Sequence, residues 1–133
     1  MIDKENEVFT RVREQILAEF PDAAVDSSYQ PVPSGFPHVS LYQSDAFVPS
    51  DKIDSAVLSK YLSVTFMVQV YSNKEKGRKQ ECKKIMGIVT DAMEQMNFRM
   101  IVLTPVQNLN DSSIYRLTAQ FEGMMDADGF YGR

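Results

Sequence analysis

The chain has 133 residues, 14 Lys and Arg against 18 Asp and Glu for a net charge of −4, and 24% charged residues. It is long enough to bury a core as one domain and has the composition of a soluble folded protein, and its acidic balance argues against general coating of nucleic acid. The single cysteine, Cys82, excludes an intramolecular disulfide or a cysteine-built zinc site, and from the charged start MIDKENEVF and the lack of a long apolar run neither a secretory leader nor a spanning helix is expected.

Residues 3–20 predict an amphipathic helix. Val8, Val12, Ile16 and Phe20 recur at every fourth position, and Phe9 and Leu17 widen the stripe. Asp3 is placed to cap its start, and Pro21 disfavours continuation beyond Phe20. Residues 21–37 hold four prolines and a glycine, which suits an extended, turn-rich passage better than a regular central strand. VSLY, residues 39–42, predicts a short strand.

Residues 43–61, QSDAFVPSDKIDSAVLSKY, form a mostly polar connection containing Phe47, Val48, Ile53, Val57 and Leu58. These apolar residues keep neither a helical nor a strand period. Two readings stand: a long loop folded onto its own domain, with a helical turn near 54–60, or a projecting arm whose apolar residues are buried by a neighbouring subunit. Connections of this length in compact domains are uncommon and often functional. We therefore expect a single domain over 1–133 with a projecting loop or arm at 43–61.

LSVTFMVQV, residues 62–70, is the clearest strand, with Leu62, Val64, Phe66, Val68 and Val70 on one face. Ser72, three residues before Glu75, offers a capping box for a helix running to about Met96. The stripe of that helix is Cys82, Ile85, Met86, Val89, Met93 and Met96, and Asn97 suits a left-handed stop. FRMIVLTP (98–105) and IYRLTAQFEG (114–123) predict a hairpin turning within QNLNDSS (107–113), and the tail holds a turn at 126–129 before one last short strand. The expected fold is α+β in the order α-β-β-α-β-β, an antiparallel-rich sheet covered on one face by two helices.

A search for chemistry finds no motif. His38 is the sole histidine and has no Ser, Cys or acid at a recognisable catalytic spacing, so a structural role is the better reading. Cys82 lies on an apolar stripe, where a thiol behaves as a small hydrophobe. DADG at 126–129 resembles the opening of a calcium loop but lacks the closing Glu. Phosphate-binding glycine patterns are absent from the sequence. No catalytic residue, metal or cofactor is expected.

The unusual feature is YSNKEKGRKQECKK, residues 71–84, with six basic residues against two acids. Its local balance of +4 leaves −8 for the rest of the chain. At 100° per residue, Lys76, Lys79 and Lys83 fall within about 60° of one another beside the apolar stripe, while Lys84 lies behind. Cations at a helix start oppose the macrodipole, so local helix stability does not ask for them. A solvated face, an acidic protein partner such as an identical copy, and a phosphate backbone all fit. With no aromatic residue inside 74–84 to stack on bases, the acidic partner fits better than DNA.

The pattern from 62 to 123 resembles tail completion (tail terminator) proteins of long-tailed bacteriophages. The resemblance rests on a strand ending in YSN, a basic-started helix closing in M-x-x-M-x-F, a P-x-x-N turn at Pro105 and Asn108, and a second hairpin strand beginning IYR. It implies a non-enzymatic virion subunit, assembled in the host cytoplasm, that forms a commonly hexameric ring, caps the tail tube and presents a surface to the head connector. The implied partners are identical copies, the tube protein and neck proteins, with passive contact with DNA in the channel and no membrane. The alternatives are another neck or head-completion adaptor, or a small DNA-binding protein using 74–84. The expected partner surface comprises Phe47, Val48, Ile53, Val57 and Leu58 with Lys76, Arg78, Lys79, Lys83 and Lys84.

Overall fold

The computed structural model describes residues 4–28, 35–47, 62–107, 113–125 and 130–131. Helix α1 spans Glu5–Glu19 and buries Val8, Val12 and Ile16, the stripe read from the sequence. Its N-cap is Lys4, with no side-chain cap, and Asp3 lies outside the described residues. A short strand β1, Ala24–Asp26, runs parallel to β2, His38–Phe47. Strand β3 is Leu62–Ser72, helix α2 is Arg78–Gln95, and strands β4 (Arg99–Gln107), β5 (Tyr115–Met125) and β6 (Phe130–Tyr131) complete the order.

The sheet order is β1-β2-β3-β5-β4, with β6 pairing the end of β5. Every described pairing except β1–β2 is antiparallel. The α+β class, the antiparallel bias, the β4–β5 hairpin and the two-helix cover follow the sequence reading. One addition is β1, which occupies a sheet edge, where a three-residue strand in a turn-rich passage is tolerated.

A second difference concerns β2. Residues 43–47 were expected to begin the arm, yet they pair with β3 as far as Phe47 opposite Ser63, across a register shift between Gln43 and Asp45. The long regular β3 supplies the partner, so backbone bonding carries this polar stretch although its side chains show no apolar alternation. Near the shift, the Gln43 N–H donates to the Glu5 carboxylate at 2.8 Å, joining the start of α1 to the sheet. The remaining arm residues, 48–61, lie outside the described residues.

The core lies between the helices and one sheet face. Val39 and Leu41 of β2, Val64, Phe66, Val68 and Val70 of β3, and Leu117, Ala119 and Phe121 of β5 meet Val8, Val12 and Ile16 of α1 and the α2 stripe. Helix α2 ends as the sequence suggests. Asn97 adopts φ 66°, its N–H reaches the Glu94 carbonyl, and the Phe98 N–H reaches the Met93 carbonyl, each at 3.0 Å. That pair of bonds is a Schellman stop, and Met93 and Phe98 are both buried beside it.

The capping box is not formed. Gly77, at φ 84°, is the N-cap of α2, and Ser72 instead donates to Glu81 Oε1 at 2.7 Å while accepting from the Lys74 N–H at 3.3 Å. The helix begins later than the sequence suggests, because residues 75–77 form a turn. Glu81 lies one turn into the helix, where its carboxylate reaches back to the end of β3.

Candidate partner surface

The basic stretch divides into distinct surfaces around the start of α2. Lys76 precedes the helix, so the helical period does not place it with Lys79 and Lys83. It lines a depression of about 190 Å³ with Lys74, Lys84, Glu81 and Phe20 at the end of α1. Arg78 and Lys79 border a second, more open depression with Tyr115. Lys83 stands at a third, an apolar groove of about 260 Å³ between α2 and β4. Lys76, Lys79, Lys83 and Lys84 are exposed.

Arg78 is half-buried, and its Nη1 donates to the Lys74 carbonyl at 3.3 Å and the Glu75 carbonyl at 3.5 Å. It holds the turn before α2. Tyr115 is the aromatic neighbour that the local sequence lacks, brought beside Arg78 and Lys79 from a strand more than thirty positions later. Of the expected apolar contacts, Phe47 is placed by its backbone at the end of β2, and Val48, Ile53, Val57 and Leu58 lie outside the described residues.

Sequence reasoning missed the surface along β4. Ile101, Val102 and Leu103 are 41%, 40% and 52% exposed. The sequence reading placed them on a hairpin strand without a face, and the strand order puts them on the sheet's outer edge. The groove beside them is floored by Met86, Met100, Leu103 and Leu117. Single exposed apolar residues are ordinary, whereas these three form a continuous exposed apolar stretch beside an apolar groove.

The sheet face away from the helices is polar yet closed. Ser40, Gln69 and Tyr71 are buried on it; Tyr71 donates to Gln69 Oε1 at 3.1 Å, and Gln69 donates to the Tyr42 hydroxyl at 3.3 Å. The Arg116 guanidinium lies 5.8 Å from the centre of the Tyr71 ring, and His38 meets that ring edge-on at 5.7 Å. His38 Nε2 is 3.2 Å from Ser40 Oγ. Burial holds the His38 imidazole below its usual pKa, opposed by the nearby charge of Asp26. A Ser, a His and an Asp are thus neighbours, but Ser40 and His38 are both buried and the three depressions around α2 do not reach them. Both side chains are packed into the sheet face.

Cys82 is likewise closed off. Its thiol faces the Val70 and Tyr115 carbonyls at 3.6 and 3.7 Å, and burial, reinforced by Glu81, pushes its pKa up to about 12. Among the described residues, no group of three His, Cys, Asp or Glu is arranged to hold a metal ion, and the DADG turn lies outside them. No helix among the described residues is long and apolar enough to cross a membrane.

Two helices over one face of a six-strand, mostly antiparallel sheet define the class of fold. The same fold occurs in a chain of the solved structure "Virion of native gene transfer agent (GTA) particle". The likeness has a TM-score of 0.63 at 16% sequence identity and covers 89% of this chain and 93% of that one. At that identity the likeness is one of fold. No protein-family model matches the chain, and no curated protein matches it.

Proposed function

We propose that this chain is a non-enzymatic structural subunit of a phage-like particle, and that copies of it form a ring closing the head-proximal end of the tail tube. The observation that carries this reading is the fold shared, over nearly the full length of both chains, with a component of a gene transfer agent virion. The sequence pattern that resembles tail terminators supports the finer part, because three of its four pieces fall at structural joints, while Pro105 of the fourth lies within β4 and Asn108 lies outside the described residues. YSN ends β3, M-x-x-M-x-F spans the Schellman stop of α2, and IYR opens β5. The partners on this reading are identical copies, the tube protein and the head connector, with DNA passing through the channel. The apolar edge of β4 and the basic start of α2 serve contact between proteins.

The test is removal of the chain from a particle-producing system, followed by electron microscopy of the products. The expected result is headless tails of irregular, extended length beside filled heads. Tails of normal length joined to heads would overturn the role at the tail end.

A further inference from the structure

We infer that the outer β4 edge and the groove between β4 and α2 receive a second copy of this chain, which docks by its acidic α1–β1 end and packs through side chains. This deepens the ring reading and rests on it.

Three observations define the receiving surface. Ile101, Val102 and Leu103 are exposed on an outer strand whose described pairing is with β5 alone. Backbone pairing with a further strand is obstructed twice, by the register shift between Met100 and Val102 and by Pro105, which has no N–H. The edge therefore offers apolar side chains and withholds a regular ladder. Gly87, in the middle of α2, is exposed on the wall of the groove, and a Cβ built there meets nothing within 4 Å. A glycine weakens a helix interior, and no contact within this subunit requires one here. Its smooth surface keeps the groove open to an incoming side chain.

Charge selects the occupant. The groove carries Lys83 at its rim, with Lys79 and Arg78 one turn and more towards the helix start. Helix α1 packs against α2 and over β2, the neighbour of the β1 edge strand in the sheet order. Residues 4–28 hold six acids against three bases, and Glu7, Glu14, Glu19 and Asp22 among them are exposed. The β4 edge and the β1 edge are the two outer strands of the sheet path, so contact between them joins two copies. Contact between two different surfaces is head-to-tail, the arrangement that closes a ring.

The test is sedimentation of the full chain over a range of concentrations and salt. The wild type associates, less so as salt rises. Leu103→Ser and Gly87→Gln each weaken association about tenfold or more while leaving the thermal midpoint no lower than a surface change does. Lys79→Glu with Lys83→Glu, and separately Glu14→Lys with Glu19→Lys, each abolish association, and mixing the two double variants restores it. A wild type that stays monomeric at about 1 mM overturns the inference, as does association indifferent to Gly87 and Leu103. Loss with those two but indifference to the charge reversals replaces it with a symmetric contact between two β4 edges. A chain that associates as described while its removal leaves tails unchanged overturns the tail-end role and keeps the contact.

Discussion

The Phe98 ring lies on the backbone of Gly123, so closely that a Cβ built at Gly123 falls 2.5 Å from Phe98 Cδ1. Phe98 follows the Schellman stop of α2 and meets Phe66 edge-on at 5.5 Å, so this contact fixes where the helix hands the chain back to the sheet. Gly123→Ala is expected to destabilise the chain by about 1–3 kcal/mol, because the buried ring has no room to retreat. Adding Phe98→Leu should recover part of the loss, so a double-mutant cycle from urea unfolding checks the contact. Strict additivity would deny it.

Ser72 holds the opposite end of α2. Ser72→Ala removes its bonds to Glu81 and to the Lys74 N–H and leaves a charged group short of a partner, an expected cost of about 1–3 kcal/mol. Glu75→Gln should shift stability by less than about 0.5 kcal/mol, because Ser72 pairs with Glu81 and Glu75 is exposed. Chemical denaturation of the two variants separates them. Equal costs would restore the Ser72–Glu75 capping box.

Gly87→Ala is expected to stabilise the isolated subunit by about 0.5–1 kcal/mol, since the added methyl meets open space and the helix gains propensity. A higher thermal midpoint at low concentration checks this. A lower midpoint would mean that the glycine serves packing within the subunit.

His38 gives stability a pH dependence of known sign. Its folded pKa lies below the 6.5 of the unfolded chain, so below that value the unfolded state binds the proton more readily. Stability should therefore fall as pH drops from about 7 through 6.5 towards the folded pKa. His38→Gln should remove that part of the slope, read as urea midpoints from pH 7.5 to 5. An unchanged slope would assign it to the carboxylates.

Much of the fold was legible because the core-forming elements have clean periods. Val8, Val12 and Ile16 in α1, the alternation of Val64 to Val70 in β3, and Asn97 after α2 each state their role locally. What was illegible depends on partners distant in sequence. Gln43 to Phe47 read as loop because their strand character comes from the backbone of β3. Alternation puts Gln69 on the face opposite Val68 and Val70, and its burial there, like that of Ser40, comes from tertiary packing. In the partner surface, the lysines were visible as a run, but the turn at 75–77 takes Lys76 out of the helical period. Ile101 to Leu103 read only as part of a hairpin strand, and their exposure follows from the place of β4 at the sheet edge.

The most direct measurement is the position of the chain in the finished particle, read by electron microscopy of particles carrying a gold-labelled C-terminal tag. The account predicts label confined to a single level at the head-proximal end of the tail tube. Label spread along the tube, scattered over the head shell, or absent from purified particles would contradict it.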